Sequence, residues 1–556
     1  MALKQGFIVV LIIISMILVN PSYAAISNSA LSGWGTNATQ NITQYAPLSY
    51  IDSASQRFSW ASVEPQQGQY NFSGVDSFID PLIAEGKKVA VGIMWKGRYI
   101  GPTQNNGCGT ANTSSCIDGT PVWVLSSSYD PVSSTTDSHP MLNYLNPNVQ
   151  NAMRQTTAAL VDHIKTKYAD NPNISFLICS GIDCEAQPED SDSNGNRTDQ
   201  AYINKWGGNN SVAVSAWITF IQFLVNMADN EINAQYPNKT RYLAISANFK
   251  DGITEKNAYA NIIQGKPNTW GLYTAGISTG YDGPRYSQPH STTADEILSN
   301  NGDIQDILRK FCLTRPCLGE HGDAGSQDSE EWKHWWRAAS ALWQRVDGFM
   351  TRGPWIPLSQ KARQFFNTYA TKTALTTPRA WVALHEDYTP QSSNLRQRNF
   401  TFYLDQFEGV NIDGKTSTTS SLWSGFNSTA LIGGDYRGAF ARSTYPGRVM
   451  AFRAIADNNS NYYITGGPHN VIITITYYDQ SSNTISLYYN SPNGIKQAWI
   501  VTKTNTARWI DKTVNLADAL FNKGINGADF YIDDNNDGDE VLHWASVEKI
   551  TQIPPW

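Results

Sequence analysis

Two glutamates stand apart from the other acidic residues of this 556-residue chain by what precedes them. Glu185 ends the run Phe176-Leu177-Ile178-Cys179-Ser180-Gly181-Ile182-Asp183-Cys184-Glu185, and Glu320 ends Arg315-Pro316-Cys317-Leu318-Gly319-Glu320. In both, a carboxylate emerges just past a short apolar run that reads as a buried strand. A nearby glycine lets the backbone approach a ligand closely. Two carboxyl groups converging on one cleft can cleave a glycosidic bond. One, held protonated by an apolar setting, gives its proton to the leaving oxygen. The other, ionised, attacks the anomeric carbon, and water then releases the sugar with the first residue acting as base. Retention needs about 5–5.5 Å between the groups and inversion about 6.5–9.5 Å. Sequence fixes neither spacing. Asp183 is the alternative proton donor.

Holding such a pair requires strands that all point the same way. From about residue 30 to 356, short apolar runs alternate with longer helical patterns, the rhythm of repeated βα units. The runs that read as strands are Ala30–Trp34, Arg57–Trp60, Lys88–Met94, Ile174–Cys179, Tyr242–Ala247, Trp270–Ala275, Pro316–Gly319 and Gly348–Arg352. In this order they predict an α/β fold, a (β/α)8 TIM barrel, whose sites lie on the loops at the C-terminal strand ends. Glu185 and Glu320 follow the fourth and seventh strands. Arg57, Asn248 and Arg352 are candidates for contacts to substrate hydroxyls. The strand-end aromatics Trp60, Trp95, Tyr281 and Trp355 either line sugar subsites or plug the core. A phenol at Tyr281 near the nucleophile would favour its ionised form. His321 and Asp323 either tune the nucleophile or cap the next helix. Glu64 reads as architectural, because Pro65 fixes the loop that leaves the second strand. Trp332, Trp335 and Trp336 read as packing a helix against the barrel.

Composition narrows the partners. Net charge is −7 with no long basic run, which argues against nucleic acid. Eighteen Trp and 27 Tyr suit a core, and also clefts that stack on sugar faces. At the N-terminus, Lys4 precedes an apolar run from Phe7 to Val19, broken by Asn20-Pro21 and followed by Ser22-Tyr23-Ala24. That run is shorter than the roughly 20 residues of a membrane span. Residues 1–24 are therefore expected to be a signal peptide and the mature chain to be secreted, with no membrane segment. Residues 25–370 would be the barrel.

Beyond 370 the rhythm becomes alternating. Val471–Tyr478, Thr484–Tyr489, Gln497–Thr502 and Phe530–Ile532, separated by turn clusters, predict a smaller antiparallel β-sandwich, jelly-roll-like, over 371–556. Tyr477, Tyr478, Tyr488, Tyr489, Trp499 and Trp509 there are either a carbohydrate-binding face or half-buried by alternation. No cofactor or metal is expected. Asp533-Asp534-Asn535-Asn536-Asp537-Gly538 resembles the start of a calcium loop, but Trp544 stands where the bidentate Glu belongs. Of six cysteines, Cys108 with Cys116 and Cys312 with Cys317 look like local bridges. Cys179 and Cys184, on one extended strand, would lie about 16 Å apart, too far to bond.

The segment Trp60-Ala61-Ser62-Val63-Glu64-Pro65-Gln66-Gln67-Gly68-Gln69-Tyr70, with Gly86-Lys87-Lys88-Val89 after it, resembles a pattern of the retaining glycosidase superfamily, especially its β-galactosidase-like and cellulase-like barrels. The resemblance spans roughly residues 30–356. It implies Glu185 as acid/base, Glu320 as nucleophile, and a β-linked poly- or oligosaccharide as substrate. One position departs from the pattern. The superfamily usually places Asn before its acid/base, and here Cys184 stands there. Either Asp183 takes over that sugar contact, or the branch is divergent, or the barrel binds glycan without cutting it.

Overall fold

The computed structural model describes residues 31–37, 51–96, 116–134, 140–180, 200–246, 265–275, 315–320, 331–343, 345–352, 360–384, 399–420, 435–457 and 460–550, with a few isolated positions between them. Eight parallel strands close on themselves: β1 (Gly33–Asn37), β2 (Ser53–Ser59), β3 (Lys88–Met94), β4 (Ile174–Cys179), β5 (Arg241–Ser246), β6 (Trp270–Ala275), β7 (Cys317–Glu320) and β8 (Gly348–Arg352). Each pairs with its sequence neighbours, and β8 pairs with β1. The barrel is the one expected. β3, β4, β6 and β8 begin and end where the apolar runs do. β2 starts earlier than expected because Ser53 and Ser55, both buried, carry no apolar signal. β1 starts later than expected, at Gly33. Inside the barrel, a Cβ on Gly35 would fall 2.6 Å from Met350 Sδ and from Ser53 Oγ, so close packing requires glycine there.

Helices cover the strands. They include α1 (Trp60–Val63), α2 (Ser73–Ala84), α3 (Pro147–Tyr168), α4 (Gln200–Trp206) and α5 (Asn210–Asn233). α3 starts where Asn146 accepts hydrogen bonds from the Asn148 and Val149 amides, with Pro147 fixing the first turn. It buries Val149, Met153, Leu160, Val161 and Ile164 in the core. α5 contains a stretch, Ser211–Asn233, long and apolar enough to cross a membrane, a property the sequence reading missed. In the fold its apolar side enters the barrel core through Trp217, Phe220, Ile221, Leu224 and Val225.

α6 (Glu331–Trp343) and α7 (Gln360–Tyr369) correct one expectation. Their aromatics face the β-domain. The rings of Trp332 and Phe440 lie 6.2 Å apart, those of Trp335 and Trp544 5.7 Å, and those of Phe365 and Trp381 5.2 Å. Trp336 Nε1 donates to the Arg437 carbonyl at 3.1 Å. On the other side, Phe366 meets Phe349 of β8 at 5.6 Å. The two helices thus share one apolar core with barrel strand and β-domain alike.

The β-domain has two antiparallel sheets. Its main strands are β9 (Ala380–Ala383), β10 (Phe400–Phe402), β11 (Leu404–Phe407), β12 (Thr419–Ser420), β13 (Arg442–Thr444), β14 (Val449–Ala454), β15 (Gly466–Tyr478), β16 (Thr484–Ser491), β17 (Gly494–Thr502), β18 (Trp509–Phe521), β19 (Phe530–Asp533) and β20 (Val541–Lys549). One sheet runs β10-β9-β20-β13-β12, with β15 joining β20 to β18; the other runs β11-β14-β19-β16-β17. Val382, Ile473 and Val547 of the first meet Phe452, Leu487 and Ile532 of the second in a common core. Of the six aromatics weighed as a binding face, Tyr477, Tyr478, Tyr489, Trp499 and Trp509 are buried. Only Tyr488 stays half-exposed, stacked on Tyr531 with centroids 5.0 Å apart. The acidic turn is held by protein donors. Asp533 Oδ1 accepts from Lys415 Nζ at 2.5 Å and from the Asn535 amide at 2.8 Å, and Asp534 accepts from the Asn536 and Arg448 amides.

Cys312 and Cys317 are bonded, as expected. Cys116 and Cys179 are also in disulfides, while Cys108 and Cys184 lie outside the described residues. The extended-chain distance between Cys179 and Cys184 presumed a strand through both, and β4 stops at Cys179.

Asp347 sits just before β8, at the N-terminal end of the barrel, with its Oδ2 accepting from the Cys317 amide at 2.9 Å. Burial pushes its carboxyl up to about 8, against about 3.9 in an unfolded chain. The folded protein therefore keeps a proton that the unfolded chain releases above pH 4. The stability this contributes is complete below that pH and is lost as pH rises through 8. Asp347→Asn is expected to flatten this slope. Its urea midpoint should exceed that of the parent at pH 8.5, and the advantage should vanish at pH 4.

Candidate active site

The barrel brings the C-terminal strand ends into one ring. Glu320 is the last residue of β7, in register with Ala275 of β6 and Met350 of β8. Arg352 ends β8 opposite Asn37 of β1. These two positions are set by backbone pairing; their side chains lie outside what is described, as do Asp183, Glu185, Asn248, Tyr281, His321, Asp323 and Trp355. The chain that leads to Asp183 and Glu185 is anchored at its root, where Ser180 Oγ donates to the Ala244 carbonyl of β5 at 2.7 Å.

Arg57 is half-buried on β2, in register with Gly92 of β3. Its guanidinium lies 5.9 Å from the ring centroid of Tyr273 on β6, a cation–π contact reaching across the barrel. Tyr273 pairs with Leu318, two residues before Glu320. Arg57 thus brings its guanidinium to β6, the strand beside β7.

The segment that carried the resemblance is explained by hydrogen bonding. Trp60 Nε1 donates to Glu64 Oε2 at 3.0 Å, one helical turn on, and lies equally far from Thr156 Oγ1 of α3. Thr156 Oγ1 is 2.6 Å from the same carboxylate oxygen, and Glu64 Oε1 accepts from the Gly68 amide at 2.8 Å. Glu64 is buried with its acceptors used, so it locks the loop after β2 to α3. That is the architectural role expected of it. Trp60 is fully buried, its ring edge-on to Trp95 at 5.0 Å. Trp95 is also buried, and its Nε1 donates to the Cys179 carbonyl at 3.1 Å. Both tryptophans belong to the barrel's apolar core.

Lys96 and Asp118, which no sequence pattern singles out, follow β3 and are both buried. Thr120 Oγ1 donates to the Trp95 carbonyl at 2.8 Å, and the Ala61 amide donates to the Gly119 carbonyl at 2.9 Å. These bonds bring the 116–121 loop over the ends of β2 and β3. Lys96 Nζ lies 6.0 Å from the Tyr202 ring centroid. Burial, with Asp118 adding to it, pushes the Tyr144 phenol far up, so it stays a neutral hydroxyl. Among the described residues no group of three His, Cys, Asp or Glu side chains is placed to hold a metal ion.

Residues 33–211, from β1 into the start of α5, match the model of glycoside hydrolase family 42, described as beta-galactosidase. The match covers the first part of the barrel, up to the start of α5. No curated protein sequence matches the chain. Among solved structures, the catalytic domain of a beta-amylase from Paenibacillus polymyxa aligns at 11% identity and TM-score 0.43, over 63% of this chain and 100% of that one. An exo-beta-1,4-mannosidase from an Opitutaceae bacterium aligns at 10% identity and TM-score 0.36, over 62% of each chain. An intracellular xylanase from Thermoanaerobacterium saccharolyticum aligns at 11% identity and TM-score 0.32, over 60% of this chain and 90% of that one.

Proposed function

We propose that this glycosidase hydrolyses a β-linked poly- or oligosaccharide with retention, using Glu320 as nucleophile and Glu185 as acid/base. The observation that carries the reading is the place of Glu320 at the C-terminal end of the seventh strand of a closed eight-stranded barrel. The family match over residues 33–211 supports it independently. In the first step the Glu320 carboxylate attacks the anomeric carbon while Glu185 protonates the departing oxygen. In the second, Glu185 takes a proton from water, which attacks the same carbon and restores the Glu320 carboxylate. Asp183, Asn248, Arg352, Tyr281, His321 and Trp355 remain the candidates for sugar contacts. Export through residues 1–24 belongs to the same reading; N-terminal sequencing of the exported chain should then begin at Ala25.

A screen of the purified protein against aryl β-glycosides, the β-galactoside first, and β-linked polysaccharides tests the function. Product from wild type and none from Glu320→Ala is the expected result. Glycan binding without product from either would favour the second reading, a barrel that binds sugar without cutting it, which Cys184 in the usual Asn position motivates.

A further inference from the structure

Cys184 stands directly before Glu185, at the place where the retaining superfamily usually carries Asn. The other cysteines bear on what it does there. Cys312 and Cys317 are bonded across a separation of five positions, with Cα atoms 5.5 Å apart. Cys116 and Cys179 are also in disulfides, and no cysteine among the described residues is free. Four cysteines therefore share the remaining bonds: Cys108, Cys116, Cys179 and Cys184. Four allow three pairings. Two of these join the segment after β3 to the chain that leaves β4. The third is local twice over, Cys108 with Cys116 and Cys179 with Cys184.

Cys179 is built to anchor such a bond. It is buried as the last residue of β4, in register with Ala244 of β5, and its carbonyl accepts from Trp95 Nε1 at 3.1 Å. The strand stops there. Ser180 turns its hydroxyl to the Ala244 carbonyl at 2.7 Å and Gly181 follows, so the chain need not stay extended on its way to Cys184. Cys179 and Cys184 are five positions apart, the separation that Cys312 and Cys317 already close in this molecule. Short loops also cost the least entropy to close.

We infer that Cys179 and Cys184 form a disulfide that positions Glu185. The role rests on the reading of Glu185 as acid/base; the bond does not. Forming it takes two protons and two electrons from the two thiols, and an external thiol oxidant such as another disulfide accepts them. The neighbour of the catalytic carboxyl is then tied to the barrel wall, and a displacement of about 1 Å at such a group costs about 10²-fold in rate. A bonded Cys184 has no hydrogen to donate to a sugar hydroxyl, which leaves that contact to Asp183, the residue before it.

Peptide mapping tests the bond on the wild-type chain. Trypsin, cutting after Lys and Arg, releases Cys179 and Cys184 together on Tyr168–Arg197, and Cys108 and Cys116 together on Tyr99–Arg154. Without reductant, the first peptide should run alone, and it should gain the mass of two hydrogens when reduced. A cross-link between the two peptides, or two free thiols on the first, overturns the inference. Activity tests the role. Cys184→Ser, alone and with Cys179→Ala, should lower kcat/KM about tenfold or more on glycosides with sugar or alkyl leaving groups, which need the proton. On dinitrophenyl glycosides, which do not, kcat/KM should hold. Equal losses on both classes, or none, overturn the positioning role. A bond that maps as expected beside a Glu185→Ala protein with unchanged kcat/KM on sugar leaving groups would sink the catalytic reading and leave the bond standing.

Discussion

Glu320→Ala is expected to lower kcat on an aryl β-glycoside by about 10⁴-fold, a loss of about 5.5 kcal/mol of transition-state stabilisation. Circular dichroism and the thermal midpoint should be unchanged, since position 320 is the last of its strand. Glu185→Ala should behave differently. An aryl leaving group of low pKa departs with little protonation, so the first step survives and the second, lacking its base, becomes rate-limiting. KM should then fall with kcat, because the glycosyl-enzyme accumulates. Added azide should restore turnover and yield a β-glycosyl azide. Near-normal activity in Glu320→Ala, or identical losses in both variants on every leaving group, would contradict the division of roles.

The second large effect concerns stability. Trp336 is fully buried on α6, edge-on to Phe440 at 5.2 Å and bonded to the Arg437 carbonyl. Truncating a buried tryptophan costs about 3–5 kcal/mol, so Trp336→Ala should lower Tm by about 3–4 °C, the whole chain unfolding as one unit. Because α6 and α7 belong to the core of barrel and β-domain together, unfolding should stay a single transition in calorimetry. Two separated transitions, with only one displaced, would show that the shared core does not couple the domains.

The sequence made the barrel legible because fully buried parallel strands read as continuous apolar runs. β3, β4, β6 and β8 needed no more than that. The rule failed where polar residues are buried, as at Ser53 and Ser55 of β2. It also failed for the partner of Trp332, Trp335 and Trp336. Helical periodicity says which side of a helix is apolar, never which layer covers it, and the β-domain that does so lies dozens of residues downstream. For the site, chain order put Glu320 at its strand end, while the contacts of Glu64 became readable only once Thr156 and Gly68 were beside it. The turn at 533–538 resembles only the start of a cation loop, with Trp544 standing where the bidentate Glu belongs. Its carboxylates are taken up by Lys415 and by main-chain amides that the local pattern does not reveal.

The central claim is that Glu320 forms a covalent bond to the sugar. Incubating the protein with an activated 2-deoxy-2-fluoro β-glycoside of whichever sugar the screen identifies slows both steps and the second more, which traps the intermediate. Mass spectrometry of the digested protein should then show one glycosyl adduct, on the peptide carrying Glu320. An adduct on another carboxylate, or none while turnover of the parent substrate inverts the anomeric configuration, would contradict the account.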